Sequence, residues 1–306
     1  MAQNISSNPI LTIAITTYNS GQLIKSSLQN IDQNLFKIVV VDNSSSDDTI
    51  KIIEENFPDI EIIKNSKNIG FGRANNMVLN KATTDFALVL NVDAIITKDD
   101  ILKTIEILKS HPEIALAGNI VHNADYENSE IKNVRPCPKN LLQLSTNQQS
   151  LFYENKFITG AGMFMNMAIM RKIGFFDEGF FLYCEDNEIC KRVLKKGFKT
   201  AIIKDTKLIH LGAKSSVLNL ETAKKIYWHK FGWSKLYYTQ KIHGRFLAIL
   251  KAIRMIVKFS LKILQNRLTD KTKNPLISLV ETQGLRGCID YLKGLKAFDE
   301  NDNPRG

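Results

Sequence analysis

Short apolar runs alternate with helix-length segments along the first 120 residues of this 306-residue chain, and no other feature narrows the fold as much. Ile10 to Thr16, Lys37 to Asp42, Ile60 to Lys64, Asp85 to Leu90 and Ile114 to Ile120 read as strands. Helices are expected at Gln22 to Ile31, Asp48 to Asn56, Arg73 to Lys81 and Lys98 to Ser110, the last with Ile101, Leu102, Ile105 and Leu108 on one face. Tyr18-Asn19-Ser20-Gly21 supplies a turn, Ser44 to Asp48 is rich in helix N-cap residues, and Pro58 stops the second helix. Alternation of this kind builds an α/β unit with a mostly parallel sheet flanked by helices on both faces.

Beyond Ile120 the pattern loosens. From His122 to Glu154 polar residues dominate, with Pro136 and Pro138, and a variable loop region is expected there. Phe157 to Met167 reads as a strand interrupted by Gly160 and Gly162; Asp186 to Lys196 reads as a helix ended by Gly197, and Lys199 to Ile203 as a strand. After Leu218 the chain turns helical to about Leu268. Two regions follow, an α/β domain over 1–218 and a helical, basic C-terminal region over 219–306. The net charge of +10 belongs to the second: Lys224 to Lys273 holds 13 Lys or Arg against one acid, Asp270, which leaves the remainder close to neutral (10 − 12 = −2).

Two strand ends carry acids. Asp42 closes Lys37 to Val41, and Asn91-Val92-Asp93 closes Phe86 to Leu90. A buried parallel strand does not tolerate a carboxylate at its middle, but one just past its C-terminal end lies where open α/β sheets bind ligands. Asp42 either accepts hydrogen bonds from a base or ribose, with Thr16, Thr17 and Tyr18 beside it, or organises a turn. Gly70-Phe71-Gly72-Arg73-Ala74-Asn75 resembles part of a dinucleotide fingerprint but lacks the third glycine and follows the third strand. It either brings backbone close to a nucleotide or forms a tight turn into a helix. Asp93 suits a divalent hard cation that completes its shell with diphosphate oxygens. His210 is structural if alone; Lys214, Ser215 and Ser216 beside it suit a diphosphate. Glu185-Asp186-Asn187-Glu188 either caps a helix or crowds one carboxyl toward the pKa range of a general base.

Cys137, Cys184, Cys190 and Cys288 fit no zinc spacing, and free thiols in a reducing compartment are expected. Met1 to Pro9 lacks a basic start followed by an apolar core, so no secretion signal is expected, and no stretch is long and apolar enough to span a bilayer.

In chain order, Ile15-Thr16-Thr17-Tyr18-Asn19, Val40 to Asp47, Asn68 to Asn76, Leu90-Asn91-Val92-Asp93, Gly160 to Met163, Gly174 to Glu178, Phe181 to Asp186 and His210 to Ser215 together resemble the inverting family-2 nucleotide-sugar glycosyltransferases of GT-A fold. Within them the chain looks most like the bacterial rhamnosyltransferase-like enzymes of polysaccharide assembly. It departs from their pattern at Asn91, Val92 and Glu188. The resemblance implies a Rossmann-like nucleotide-binding half and a substrate-binding set of Thr16, Tyr18, Asp42, Asn68, Gly70, Asn75, Asn91, Glu185 and Lys214. It implies Asp93 and His210 as ligands of Mg2+ or Mn2+, and Asp186 as the general base, so that Asp93 and Asp186 converge on one anomeric centre. The donor would be a dTDP- or UDP-sugar and the acceptor a saccharide or lipid-linked hydroxyl, on the cytoplasmic side of a bacterial inner membrane.

Phe246 to Leu268 sets Lys251, Arg254, Lys258 and Lys262 along one stripe among apolar residues, which fits an anionic membrane surface, with Trp228, Trp233, Tyr237 and Tyr238 as interfacial anchors. Packing on the catalytic domain or on a second subunit is the alternative. No nucleic-acid motif accompanies the charge. A sugar nucleotidyltransferase would need a Gly-rich, Arg- or Lys-bearing loop after the first strand, where Thr16-Thr17-Tyr18-Asn19 stands; a lectin-like scaffold would not need Asp42, Asp93, Asp186 and His210 together.

Overall fold

The computed structural model describes residues 9–127, 130–136, 150–211, 220–268 and 275–306. They fall into two compact units, one of Met1–Ser66, Ala74–Phe175 and Ile189–Val217, the other of Lys67–Arg73, Phe176–Glu188 and Leu218–Gly306.

The first unit is built on a ten-stranded sheet. Its parallel half comprises β1 (Leu11–Thr17), β2 (Phe36–Asp42), β3 (Glu61–Lys64) and β4 (Phe86–Asn91) in the order β3-β2-β1-β4. Every residue of β1 but the half-buried Thr16 is buried, as expected of an interior strand covered on both faces. The intervening helices are α1 (Gly21–Leu28), α2 (Thr49–Asn56) and α3 (Phe71–Leu79). The chain then forms β5 (Ala94–Ile96), α4 (Lys98–Ser110), β6 (Ile114–Glu127), β7 (Glu130–Pro136), β8 (Phe152–Glu154), β9 (Gly162–Asn166), α5 (Met167–Ile173), α6 (Glu185–Lys195) and β10 (Lys199–His210). Helix α4 starts where Thr97 accepts a hydrogen bond from the Asp100 N–H (3.2 Å), with Asp99 and Asp100 in its first turn.

The far half of the sheet is mixed. Strand β9 lies antiparallel to both β4 and β6, while β10 is parallel to β6 and antiparallel to β5 and β8. The expected loop region from His122 to Glu154 is corrected in part. Strand β6 runs on to Glu127 and pairs with β7 as a hairpin, and β8 adds to β10. A hairpin at a sheet margin holds its ladder with backbone bonds and needs no apolar alternation, so its polar residues hid it. The expected strand from Phe157 shrinks to Gly162–Asn166. Asn155 Oδ1 and Thr159 Oγ1 accept backbone N–H bonds from Phe157 and Ala161 (both 3.3 Å) and hold that stretch in turns.

The second unit is mostly helical: α7 (Leu220–Tyr227), a π-helical turn at Trp228–Trp233, α8 (Ser234–His243), α9 (Arg245–Leu268) and α10 (Pro275–Leu292). The π-helical turn presents Gly232 to the α10 backbone. A Cβ on Gly232 would stand 2.7 Å from the Gly284 carbonyl oxygen and 2.8 Å from the Gly287 Cα, so the two helices touch backbone to backbone. Trp228 and Trp233 are buried in a cluster with Phe181, Ala297 and Phe298. Their indole N–H groups donate to Asp290 Oδ2 (3.0 Å) and the Leu295 carbonyl (2.7 Å). Both are therefore core side chains and not the interfacial anchors expected. Among the described residues no helix is long and apolar enough to cross a membrane. Cys184, Cys190 and Cys288 are free thiols, and burial pushes Cys184 and Cys288 up to about 12; Cys137 lies outside the described residues.

Candidate active site

Register places the first group of site residues. Across β2-β1-β4, Thr17 stands opposite Asp42, and Thr16 opposite both Val41 and Asn91. The C-terminal ends of three parallel strands are thus level. The strand order reverses direction at β1/β4, the switch point where open α/β sheets take up ligands. Thr16 Oγ1, at that point, is buried with no protein hydrogen-bond partner.

Asp42 is buried and already engaged. Its carboxylate accepts from Thr17 Oγ1 (2.8 Å), the Ser45 N–H (2.8 Å) and Ser45 Oγ (2.5 Å). A carboxylate offers about four acceptor positions, so one is left for a ligand. Asp42 therefore does organise a turn, and its oxygens are held rigidly in doing so. The neighbouring loops are tied together as well: Asn19, with φ +51°, accepts from the Ser46 N–H (2.8 Å), and the Gly21 N–H donates to Asp47 (2.9 Å). Burial works to raise the Asp47 pKa, but hydrogen bonds from the Thr49 hydroxyl and the Gly21 N–H outweigh it and hold the carboxyl below its usual range. Tyr18, between these anchors, is half-buried.

The second group forms where β5 pairs with β10. That antiparallel pairing sets His210 opposite Ala94, and His210 Nε2 lies 3.3 Å from Oδ1 of the buried Asp93. Ligand atoms adjacent on an octahedral shell of radius ~2.1 Å are about 3 Å apart, so this oxygen and nitrogen fit a shared divalent cation. Among the described residues there is no group of three or more side chains that could hold a metal ion. Asn91 is fixed by its N–H to the Ala161 carbonyl (3.0 Å), and Asn75 of α3 is fully buried. Lys214, Ser215 and Ser216 lie outside the described residues.

Asn68, Gly70, Glu185 and Asp186 belong to the second unit. Asn68 Oδ1 accepts the Gly70 N–H (3.0 Å), and Gly70 has φ +88°. A Cβ there would sit 2.4 Å from the Phe181 carbonyl oxygen, which also accepts the Phe71 N–H (3.1 Å). Close packing on the aromatic loop thus accounts for this glycine. The loop itself is clamped. Ser234 Oγ donates to the Leu182 carbonyl (2.8 Å), Arg73 Nε to the Glu178 carbonyl (2.9 Å), and Lys241 pairs with Asp177 (2.8 Å).

Tyr183 and Cys184 then take left-handed backbone at φ +67° and +73°, a strained pair leading directly into α6. The first turn of α6 holds Glu185, Asp186 and Glu188, and the Glu188 N–H donates to the Cys184 carbonyl (2.9 Å). Burial, and then the charge of Asp186, pushes Glu185 up to about 8, and its Oε2 has no hydrogen-bond partner. Asp186 is half-buried and accepts both the Asn187 N–H (2.8 Å) and its side-chain amide (2.9 Å). Burial, more than the crowding expected from the sequence, raises Glu185, the deeper carboxyl of the pair. The strained Tyr183–Cys184 pair and the Ser45 contribution to Asp42 were not foreseen; the Asp42-x-x-Ser45 spacing was the available signal for the second.

Residues 12–174 match the profile of the family described as glycosyl transferase family 2. The chain belongs to glycosyl transferase family 2. Among relatives, it is 32% identical over 95 residues to the SPbeta prophage-derived glycosyltransferase SunS of Bacillus subtilis (strain 168), covering 31% of this chain and 22% of SunS. It is 25% identical over 219 residues to the rhamnosyltransferase WbbL of Escherichia coli (strain K12), covering 65% of this chain and 82% of WbbL. The mannosyltransferase PcManGT from Pyrobaculum calidifontis, solved with GDP-Man and Mn2+, superposes with a TM-score of 0.56 at 15% identity, covering 95% of this chain and 89% of that one. That likeness shows the expected GT-A fold. In this family-2 chain the matched stretch carries Asp42, Asn91 and Asp93, whereas Asp186 and His210 lie beyond it.

Proposed function

We propose that this chain transfers a sugar from a nucleotide-diphosphate donor to a hydroxyl of a saccharide or lipid-linked acceptor, with inversion at the anomeric carbon. The observation that carries this reading is the level strand edge of a family-2 chain, where a buried, pre-oriented Asp42 and an Asp93–His210 pair occupy the ligand-binding end of the sheet. Asp42, with Thr16 and Tyr18 beside it, holds the base or ribose. Asn68, Asn75 and Asn91 contribute to holding the donor, and Lys214 meets its diphosphate. Asp93 and His210 hold Mg2+ or Mn2+, which when bound offsets the charge that develops on the leaving diphosphate. The structure of PcManGT holds GDP-Man and Mn2+, which supports a nucleotide-sugar donor and a divalent metal for this fold.

Asp186 accepts the proton of the acceptor hydroxyl while that oxygen bonds to the anomeric carbon from the face opposite the diphosphate, whose bond to carbon breaks in the same step. No side chain is needed as a nucleophile. Burial favours the neutral form of Glu185, the deeper neighbour of Asp186. The WbbL relationship supports rhamnose as the sugar; a dTDP- or UDP-linked donor and a place in bacterial cell-surface polysaccharide synthesis at the inner face of the cytoplasmic membrane complete the proposal. A panel of nucleotide sugars incubated with Mn2+ tests the reading through release of nucleoside diphosphate. Release from one donor class, lost in Asp93→Ala, is expected. No binding and no release with any donor would leave a non-catalytic scaffold.

A further inference from the structure

Helix α9 has two apolar faces, and only one is used. Ala248 and Ala252 are buried, and Met255, Ile256 and Phe259 pack with Leu236, Cys288 and Tyr291. On the other side Phe246, Leu250, Ile253, Val257, Leu261 and Leu264 are 72%, 48%, 50%, 53%, 61% and 54% exposed. At 3.6 residues per turn these six fall within an arc of about 80°. Arg254 and Lys258, both exposed, border one side of the arc, and the exposed Arg267 borders the other. Scattered exposed leucines need no explanation, but an ordered stripe five turns long does.

We infer that this face of α9 docks onto an anionic lipid bilayer surface, lying in the interface with the stripe among the acyl chains and Arg254, Lys258 and Arg267 at the headgroups. Charge complementarity selects the occupant. From Arg245 to Leu268 the helix carries six Lys or Arg and no Asp or Glu. Lys262 pairs with Glu281 and Lys251 donates to Thr239, but two copies paired stripe to stripe would press Arg254, Lys258 and Arg267 together with no acid on the helix to relieve them, whereas anionic headgroups satisfy them. The opposite face stays locked on its neighbours, so docking requires no refolding of the helix. The inference deepens the membrane part of the proposed function, but its readout needs no turnover, so either can fail without the other.

The test is flotation of the full chain with vesicles of phosphatidylglycerol and phosphatidylcholine in equal parts, against phosphatidylcholine alone. Point substitutions are preferable to removing the helices, because Phe181 packs on Trp228 and Trp233. Binding to the anionic vesicles only, weakened in ~1 M salt, is expected. Val257→Asp with Leu261→Asp should cut binding by roughly tenfold or more with an unchanged melting temperature. Arg254→Gln with Lys258→Gln should weaken it several-fold while leaving the stripe intact. No vesicle binding by the wild type, or binding untouched by both pairs of substitutions, overturns the inference. A dimer in solution that Val257→Asp dissociates also overturns it, and assigns the face to a second copy.

Discussion

Replacing Gly70 with alanine separates two effects that a glycine usually confounds. The first is backbone strain: at φ +88° an alanine costs about 1 kcal/mol. The second is collision, since the new Cβ would lie 2.4 Å from the Phe181 carbonyl oxygen and 3.0 Å from the Phe181 Cα. Ordinary contact begins at 3.4 Å, so the aromatic loop must retreat by 1.0 Å (3.4 − 2.4). Phe181 precedes Asp186 by five residues, with the strained Tyr183–Cys184 pair between them, so little slack exists to absorb that shift. A misplacement of ~1 Å at a catalytic group costs on the order of a hundredfold in rate. Gly197 supplies the control: its φ is +83° and nothing lies within 4 Å of its Cβ position. Gly197→Ala should therefore lower the melting temperature by only ~2–4 °C and leave kinetics alone. Gly70→Ala should lower kcat by roughly a hundredfold with donor KM within about twofold of wild type. Steady-state rates on both variants decide. A normal kcat for Gly70→Ala, or a loss confined to donor affinity, would refute the positioning argument and return Gly70 to the donor.

Three further outcomes are expected. Asp186→Asn should reduce transfer by at least about a hundredfold while the donor Kd, measured by calorimetry, stays near wild type; lost donor binding would contradict its role as base. Asp93→Ala should abolish the dependence of nucleoside-diphosphate affinity on Mn2+, and an unaltered metal titration would remove the Asp93–His210 pair from consideration. Glu185 has a folded-state pKa raised from 4.5 to about 8, so its contribution to stability is fully present below pH 4.5 and lost as pH rises toward 8. Glu185→Gln should accordingly be stabilised relative to wild type at pH 8 and not at pH 5, each pKa unit being worth ~1.4 kcal/mol; parallel urea melts showing no pH dependence of the difference would sink this.

The parallel half of the sheet and its acidic edge were legible because interior strands are apolar throughout and a carboxylate can stand only at their ends. Asp42 and Asp93 announced themselves on that ground alone. The β6–β7 hairpin was not legible, since its ladder is made by backbone groups and its residues are polar. Composition also misassigned Trp228 and Trp233. An indole next to lysines looks interfacial, and only the helix crossing at Gly232 shows both rings inside with their N–H groups satisfied. The apolar residues of α9 could be counted in the sequence but not divided, because which of them face α10 depends on residues some thirty positions away. Glu185 was seen as one acid of a cluster; its depth, which raises its pKa, follows from the loop before it.

That loop carries a lasting implication for engineering. Tyr183 and Cys184 occupy conformations that glycine enters freely, so substituting glycine at either would relieve roughly 1 kcal/mol of torsional cost in the folded chain. Searches for heat-tolerant variants would be drawn to these positions. Glycine also gains about as much freedom in the unfolded chain, so heat tolerance should change little, while the same change would turn a rigid mount into a swivel beneath Asp186 and lower turnover.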